Sequence, residues 1–188
     1  MLVAAEEVFA ESGLSKAHVD EIARRAGVSV GSLYNYYSDR DGLLAAVLAM
    51  RTDELEAELE LSTGRTENMP IRAALLDLVR TYFRFVARRR TFVRILFEGE
   101  LLQLKESYPT ASALPPRCWA GLKQVVADLL ARGIREGVLP EAHAELDVWL
   151  FAGLLRGVVI RDLRGLTPCR EEDAERVVAV FLDGASTR

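Results

Sequence analysis

Residues 19–44 read VDEIARRAGVSVGSLYNYYSDRDGLL. Val19, Ile22, Ala23 and Ala26 recur at i, i+3, i+4 and i+7, which makes one face of a short helix apolar. Gly27 marks its end, because the residue just past a helix often takes a positive φ at which a Cβ would clash. Val28 turns inward, and Ser29 can cap a second helix by accepting a hydrogen bond from one of its first free N–H groups. Leu33 and Tyr37, four apart, are expected to be buried, with Gly31, Ser32, Tyr34, Asn35 and Tyr36 pointing elsewhere. Two helices joined by a tight Gly-containing turn form a helix-turn-helix, the arrangement that sets its second helix in the DNA major groove. A plain helical hairpin can show the same offsets. The second helix, however, has no Glu or Lys, whereas a solvated helix normally carries charged, strongly helix-forming residues. Its run of hydroxyl and amide groups suits bases and phosphates.

The run GVSVGSLYNYYSDRDGLLAAVL, residues 27–48, resembles the signature of the TetR family of transcriptional repressors. There a G-V-S-x-G-[ST]-L-Y-x-[YH]-[FV] segment is followed by a short polar turn and a basic residue. LVAAEEVFAESGL, from Leu2, is similar to the family's first helix, so the likeness covers about the first quarter of the chain. The resemblance implies an all-α protein of about nine helices. Residues 1–47 would form a three-helix DNA-binding domain and residues 48–188 a helical ligand-binding and dimerisation domain. It further implies a homodimer on double-stranded DNA, reading a palindromic operator, with a small-molecule effector. One recognition helix covers only a few base pairs, and two copies related by a two-fold axis read half-sites about 34–36 Å apart.

Matching motif positions give the expected DNA contacts. Ser29 and Val30 open the reading helix, and Val30 offers a methyl contact to thymine where relatives often have a polar residue. Gly31 permits close backbone approach, Ser32 and Tyr34 can donate to phosphates, and Asn35 and Tyr36 face base edges. Ser38-Asp39-Arg40-Asp41 reads as a capping box with Ser38 as N-cap, and Arg40 beside a helix N-terminus is placed to grip a phosphate. Relatives usually have Ser or Thr just before the second helix; Ala17 and His18 stand there, and His18 either meets a phosphate or is a solvated loop residue. Relatives also carry a basic segment before the first helix. Here Met1 already lies at its start, so the chain either works without that arm or is an N-terminally shortened form.

Composition narrows the alternatives. The 188 residues are half hydrophobic, enough for a real core, and no run of about 18 uncharged apolar residues predicts a membrane span. The first ten residues, MLVAAEEVFA, are acidic where a secretion signal is basic, which points to the cytoplasm. A net charge of −4 argues against coating nucleic acid by bulk charge, though not against a site reader. Cys118 and Cys169 lack metal-ligand spacing and are expected as reduced thiols in a core, and His18 and His143 are the only histidines. No metal, cofactor or enzymatic activity is expected.

After a first helix at Leu2–Ser12 and the helix-turn-helix, the pattern predicts a fourth helix from about Gly42 to Leu61, with Leu44, Val47, Leu48, Arg51, Leu55 and Leu59 in one stripe. Residues 62–70 (STGRTENMP) read as a loop, with Asn68 capping a fifth helix that ends in Arg88-Arg89-Arg90. Those arginines complement the helix dipole at least as readily as they form a DNA patch. Helices at Thr91–Lys105, Trp119–Glu136, Glu145–Leu163 and Glu171–Leu182 follow, with a loop at Tyr108–Pro116. The eighth is apolar nearly all round and must be covered on all faces, by a second subunit in a domain of this size. Leu150, Gly153, Leu154, Gly157, Val158, Val178 and Phe181 are the expected dimer contacts, the two glycines allowing close helix approach. Phe85, Phe97, Trp119, Leu122, Trp149 and Arg156 either line an effector pocket or are plain core. A DNA-binding dimer that senses nothing, and an enzyme on a helical scaffold, are the alternative readings.

Overall fold

A computed structural model of the protein describes residues 1–103 and 117–185. All its extended regular structure is helical: α1 (Leu2–Ser12), α2 (Val19–Ala26), α3 (Val30–Tyr36), α4 (Arg40–Arg65), α5 (Ile71–Arg88), α6 (Arg90–Gln103), α7 (Arg117–Arg135), α8 (Ala144–Leu163) and α9 (Glu171–Ala185). A 3₁₀ turn at Glu141–His143 leads into α8. The loop expected at Tyr108–Pro116 lies outside the described residues, as do the side chains of Leu101 and Cys118.

The helices group into two compact units. The first comprises Met1–Asp53 with Arg89–Cys118, and the second Glu54–Arg88 with Trp119–Arg188. The boundary expected near residue 47 thus falls inside the continuous α4, and α6 groups with the helix-turn-helix. In the first unit α1 packs against both α2 and α6. Its core is Ala5, Val8, Phe9, Leu14, Ile22, Leu33, Leu43, Leu44, Val47 and Leu48 together with Phe92, Val93 and Ile95 of α6. Glu6 of α1 and Arg51 of α4 form a buried ion pair, Nε and Nη2 donating to Oε2 over 2.9 and 2.8 Å. The apolar stripe expected on α4 is buried along its whole length, Arg51 included.

In the second unit α5 is the most deeply buried helix, with α9 laid along it and α8 packed on both. Phe151 of α8 meets Phe181 of α9 edge-on, ring centroids 4.9 Å apart. Within α8 the inward stripe is Asp147, Phe151, Leu155, Val159 and Asp162. Asp162 accepts the Cys169 N–H at 3.1 Å, which fixes the turn into α9.

Several local expectations are corrected. Ser62–Arg65 continue α4 instead of forming a loop, because their polar groups find partners: Ser62 donates to Asp77 at 2.7 Å and Arg65 pairs with the same carboxylate at 2.8 Å. The chain then leaves the helix under Arg132, whose guanidinium donates to the carbonyls of Thr66, Glu67 and Met69. Asn68 does not begin α5, since Pro70 supplies the carbonyl that Ala73 and Ala74 bond. The N-cap of α4 is Asp39, not Ser38; its carboxylate accepts the Gly42 N–H at 2.6 Å. Of the arginine triplet, Arg88 is paired with Glu58 of α4 at 2.5 Å, and α6 starts at Arg90. Val178 and Phe181, expected at the dimer face, are buried within this one chain, where α9 packs on α5 and α8, and Phe181 also borders a groove between α8 and α9. Leu150 and the two glycines Gly153 and Gly157 are exposed, while Leu154 and Val158 are half-buried.

Candidate nucleic-acid interface

The turn between α2 and α3 is set by four residues. Gly27 sits at φ +67°, the left-handed region, and its N–H closes onto the Arg24 carbonyl while Val28 N–H reaches Ala23 O at 3.0 Å. These bonds satisfy carbonyls that the end of α2 leaves free. Ser29 then caps α3, its Oγ accepting the Ser32 N–H at 3.0 Å and lying 2.8 Å from the Ser32 hydroxyl. The two hydroxyls expected at DNA therefore already hold each other at the helix start. Leu33 anchors α3 in the core, fully buried. Tyr37 is only half-buried and lies past the helix end with extended backbone, so α3 holds to the core through Leu33 and the flanking turns.

What α3 presents outward is neutral and polar. Tyr36 is 72% exposed and Tyr34 46%, and Gly31 and Asn35 are exposed between and beside them. Val30 and Ser32 are half-buried. His18 is exposed at the N-cap position of α2, where its side chain makes no capping bond.

The cations around this surface are mostly engaged. Arg24 and Arg25 both bond Glu21, and Arg25 also reaches back to Glu11 of α1. Those hydrogen bonds, from Arg24 and then Arg25, pull the Glu21 carboxyl down to about 2. Arg40 is half-buried, and its guanidinium is engaged within the fold. Its Nη1 donates to the carbonyls of Leu14 (2.8 Å) and Ser15 (3.4 Å), and its Nη2 to Asp41 at 3.3 Å. The sequence pattern placed Arg40 beside a helix N-terminus but carried no sign that the α1–α2 loop would offer it carbonyls. Lys16, exposed in that loop, is the residue the motif pattern passed over. Of the basic side chains within residues 1–47, Lys16, Arg24, Arg25 and Arg40, only Lys16 lies in the α1–α2 loop.

The expected effector residues differ in setting. Phe85 and Leu122 are buried core of the second unit, while Phe97 belongs to the first. Trp119 is half-buried, with the Arg156 guanidinium 5.9 Å from its ring centroid. Trp149 is 57% exposed with the Lys123 ammonium 4.0 Å over its ring, so it is a surface residue. It borders a groove of about 310 Å³ with Lys123, Leu130, Ile134 and Val148. A second groove, about 450 Å³, runs along the outer side of α8 and α9 past Leu146, Asp147, Leu150, Leu154, Val180 and Phe181. Among the described residues no cluster of His, Cys, Asp or Glu is arranged to hold a metal, and no helix is long and apolar enough to cross a membrane.

Residues 1–47 match the profile of bacterial regulatory proteins of the tetR family. The HTH-type transcriptional regulator SrpR of Pseudomonas putida is 30% identical over 164 residues, 86% of this chain and 72% of that protein. The HTH-type transcriptional activator FasR of Mycolicibacterium smegmatis is 32% identical over 134 residues, 70% of this chain but only 58% of its own length. In fold, the chain is similar to the transcriptional regulator FadR from Bacillus subtilis, solved in complex with stearoyl-CoA. The TM-score is 0.77 with 18% identity, over 97% of this chain and 96% of that one. With the capped helix-turn-helix at its N-terminal end and a relative matched over most of both chains, the protein belongs to the TetR family of transcriptional regulators.

Proposed function

We propose that the protein acts in the cytoplasm as a dimeric repressor that reads a palindromic operator with α3 and leaves it when a small apolar or amphipathic ligand binds the second unit. The observation that carries the DNA-reading part is the outer face of α3: exposed Tyr34, Asn35 and Tyr36 with no charge among them. Such groups gain little in water but can pair with base edges, Asn bidentately with adenine. Dimer formation is supported by α8, whose outer side exposes Leu146, Trp149 and Leu150. Cβ atoms built on its Gly153 and Gly157 would meet nothing within 4 Å. A helix apolar on two sides needs cover on both.

The ligand part rests on the large second unit and on the stearoyl-CoA found in the FadR complex, which suggests a long-chain acyl thioester as the first compound to try. Release would work through α4, one unbroken helix that starts just after α3 and ends beside α5. A ligand that shifts this helix changes the spacing of the two reading helices, and a palindrome on stiff DNA tolerates little change.

The test begins with selection of bound duplexes from a random DNA pool by the purified protein. A two-fold symmetric site is expected; recovery of random sequence would refute operator reading. Stearoyl-CoA is then titrated with and without the selected duplex. Coupling of about 1–3 kcal/mol makes each weaken the other by the same factor, roughly 5- to 150-fold. Tight binding of stearoyl-CoA with equal affinity in both titrations would leave a DNA-binding dimer that does not respond to it.

A further inference from the structure

The α1–α2 loop is held by more than its own sequence. Gly13 leaves α1 at φ +77°, and only five residues, 14–18, then reach the start of α2. Leu14 and Ala17 are buried beneath the loop. Both backbone polar groups of Leu14 are bonded by charged side chains from elsewhere in the first unit: its N–H donates to Glu98 Oε1 of α6 at 3.3 Å, and its carbonyl accepts from Arg40 Nη1 of α4 at 2.8 Å. A Cβ built on Gly13 would lie 3.3 Å from the same Glu98 oxygen, so the bare glycine leaves room for the carboxylate. One turn earlier on α6, Arg94 donates to the carbonyl of Ala10, near the end of α1. Arg94 and Glu98 thus take hold of the end of α1 and the first loop residue from one face of α6.

We infer that Glu98 and Arg40 are positioning residues for DNA reading: together they clamp Leu14 and so fix where α2 and α3 begin. Residues 1–47 contain one half of this clamp and α6 supplies the other. A movement of α6 therefore reaches the reading helix through Leu14, without passing along α4. Arg40 acts here by holding loop carbonyls, and not by neutralising a phosphate.

The inference rests on α3 being the reading helix, and two readouts separate the two ideas. The first is amide exchange at Leu14 in DNA-free protein. The second is affinity, over a range of KCl concentrations, for a duplex selected from a random pool by the wild-type protein. Glu98→Ala is expected to speed exchange at Leu14 and to weaken duplex binding about tenfold, the worth of one charge-assisted hydrogen bond. Its salt slope should match the wild type, since no phosphate contact is lost. Glu98→Gln keeps an acceptor oxygen and should restore both. Should Glu98→Ala not fold, Glu98→Asp keeps the charge but draws the acceptor back, and the same two losses are expected. Arg40→Ala should also weaken binding at unchanged salt slope. A slope reduced by about one per subunit would assign Arg40 to a phosphate and overturn its part in the clamp. Unchanged Leu14 exchange in both Glu98→Ala and Glu98→Asp would overturn the part of Glu98. A wild-type protein that selects no duplex would remove the positioning role along with the reading helix, whatever the exchange shows.

Discussion

At the scale of single residues, Asn35 stands exposed on α3 with Tyr34 and Tyr36 on either side, and among the described residues none bonds its amide. Asn35→Ala should leave stability unchanged and cost about 1–3 kcal/mol on the preferred duplex, with one position of the site relaxed. Equal losses on selected and random DNA would show that it touches only the backbone. Buried charge gives the opposite case. Removing Arg51 leaves the Glu6 carboxylate in the core without its partner, and Arg51→Met should cost about 3–5 kcal/mol in urea denaturation. Cys169 is buried near Asp173 and Asp162, and burial first, then those carboxylates, pushes its thiol up to about 12. The unfolded thiol ionises at about 8.5, so the stability linked to this group is full below that pH and is lost as pH rises toward 12. In a Cys118→Ser background the folded protein should resist an aromatic disulfide reagent at pH 8 and react on unfolding. Rapid reaction of the folded protein would contradict the burial.

Elements come next. The helix-turn-helix depends on one left-handed residue: Gly27 at φ +67° has nothing within 4 Å of a built Cβ, so its cost of substitution is purely conformational. Gly27→Ala is expected to lose about 1–2 kcal/mol in denaturant unfolding, a loss that the more permissive Asn would partly recover. A loss above that range would mean that the turn meets a steric neighbour. The short α2 carries little core of its own, only Ile22 and Ala23, and is strapped to α1 by the Arg25–Glu11 pair. Short helices of this kind owe their stability to packing more than to propensity. α4 shows the reverse: its length exceeds the polar stretch that should have stopped it, because Ser62 and Arg65 share Asp77.

For the whole molecule the proposed dimer surface is the outer side of α8. Leu150 is 52% exposed there, in a groove with Leu146, Leu154 and Val180. A charge in a dry interface is costly unless paired, so Leu150→Glu should give monomers in sedimentation and lose tight binding to a palindrome. An unchanged dimer would place the interface elsewhere.

Local residue patterns were enough to determine the helix-turn-helix, its caps at Gly27 and Ser29, the neutral face of α3 and the apolar stripe of α4. The physical reason is that each depends on near neighbours: spacing along one helix, the φ demanded of one residue, or a side chain reaching a backbone group three residues away. Tertiary structure alone decided the fate of groups whose partners are distant in sequence. Arg40 looked free for DNA until the loop carbonyls of Leu14 and Ser15 came within reach, 26 and 25 residues away. Val178 and Phe181 had the same apolar character as an interface residue, and only the direction in which α9 faces α5 and α8 put them inside. The grouping of α6 with the reading head, through Arg94 and Glu98, joins residues 84 apart in sequence, and no local pattern encodes a contact of that separation.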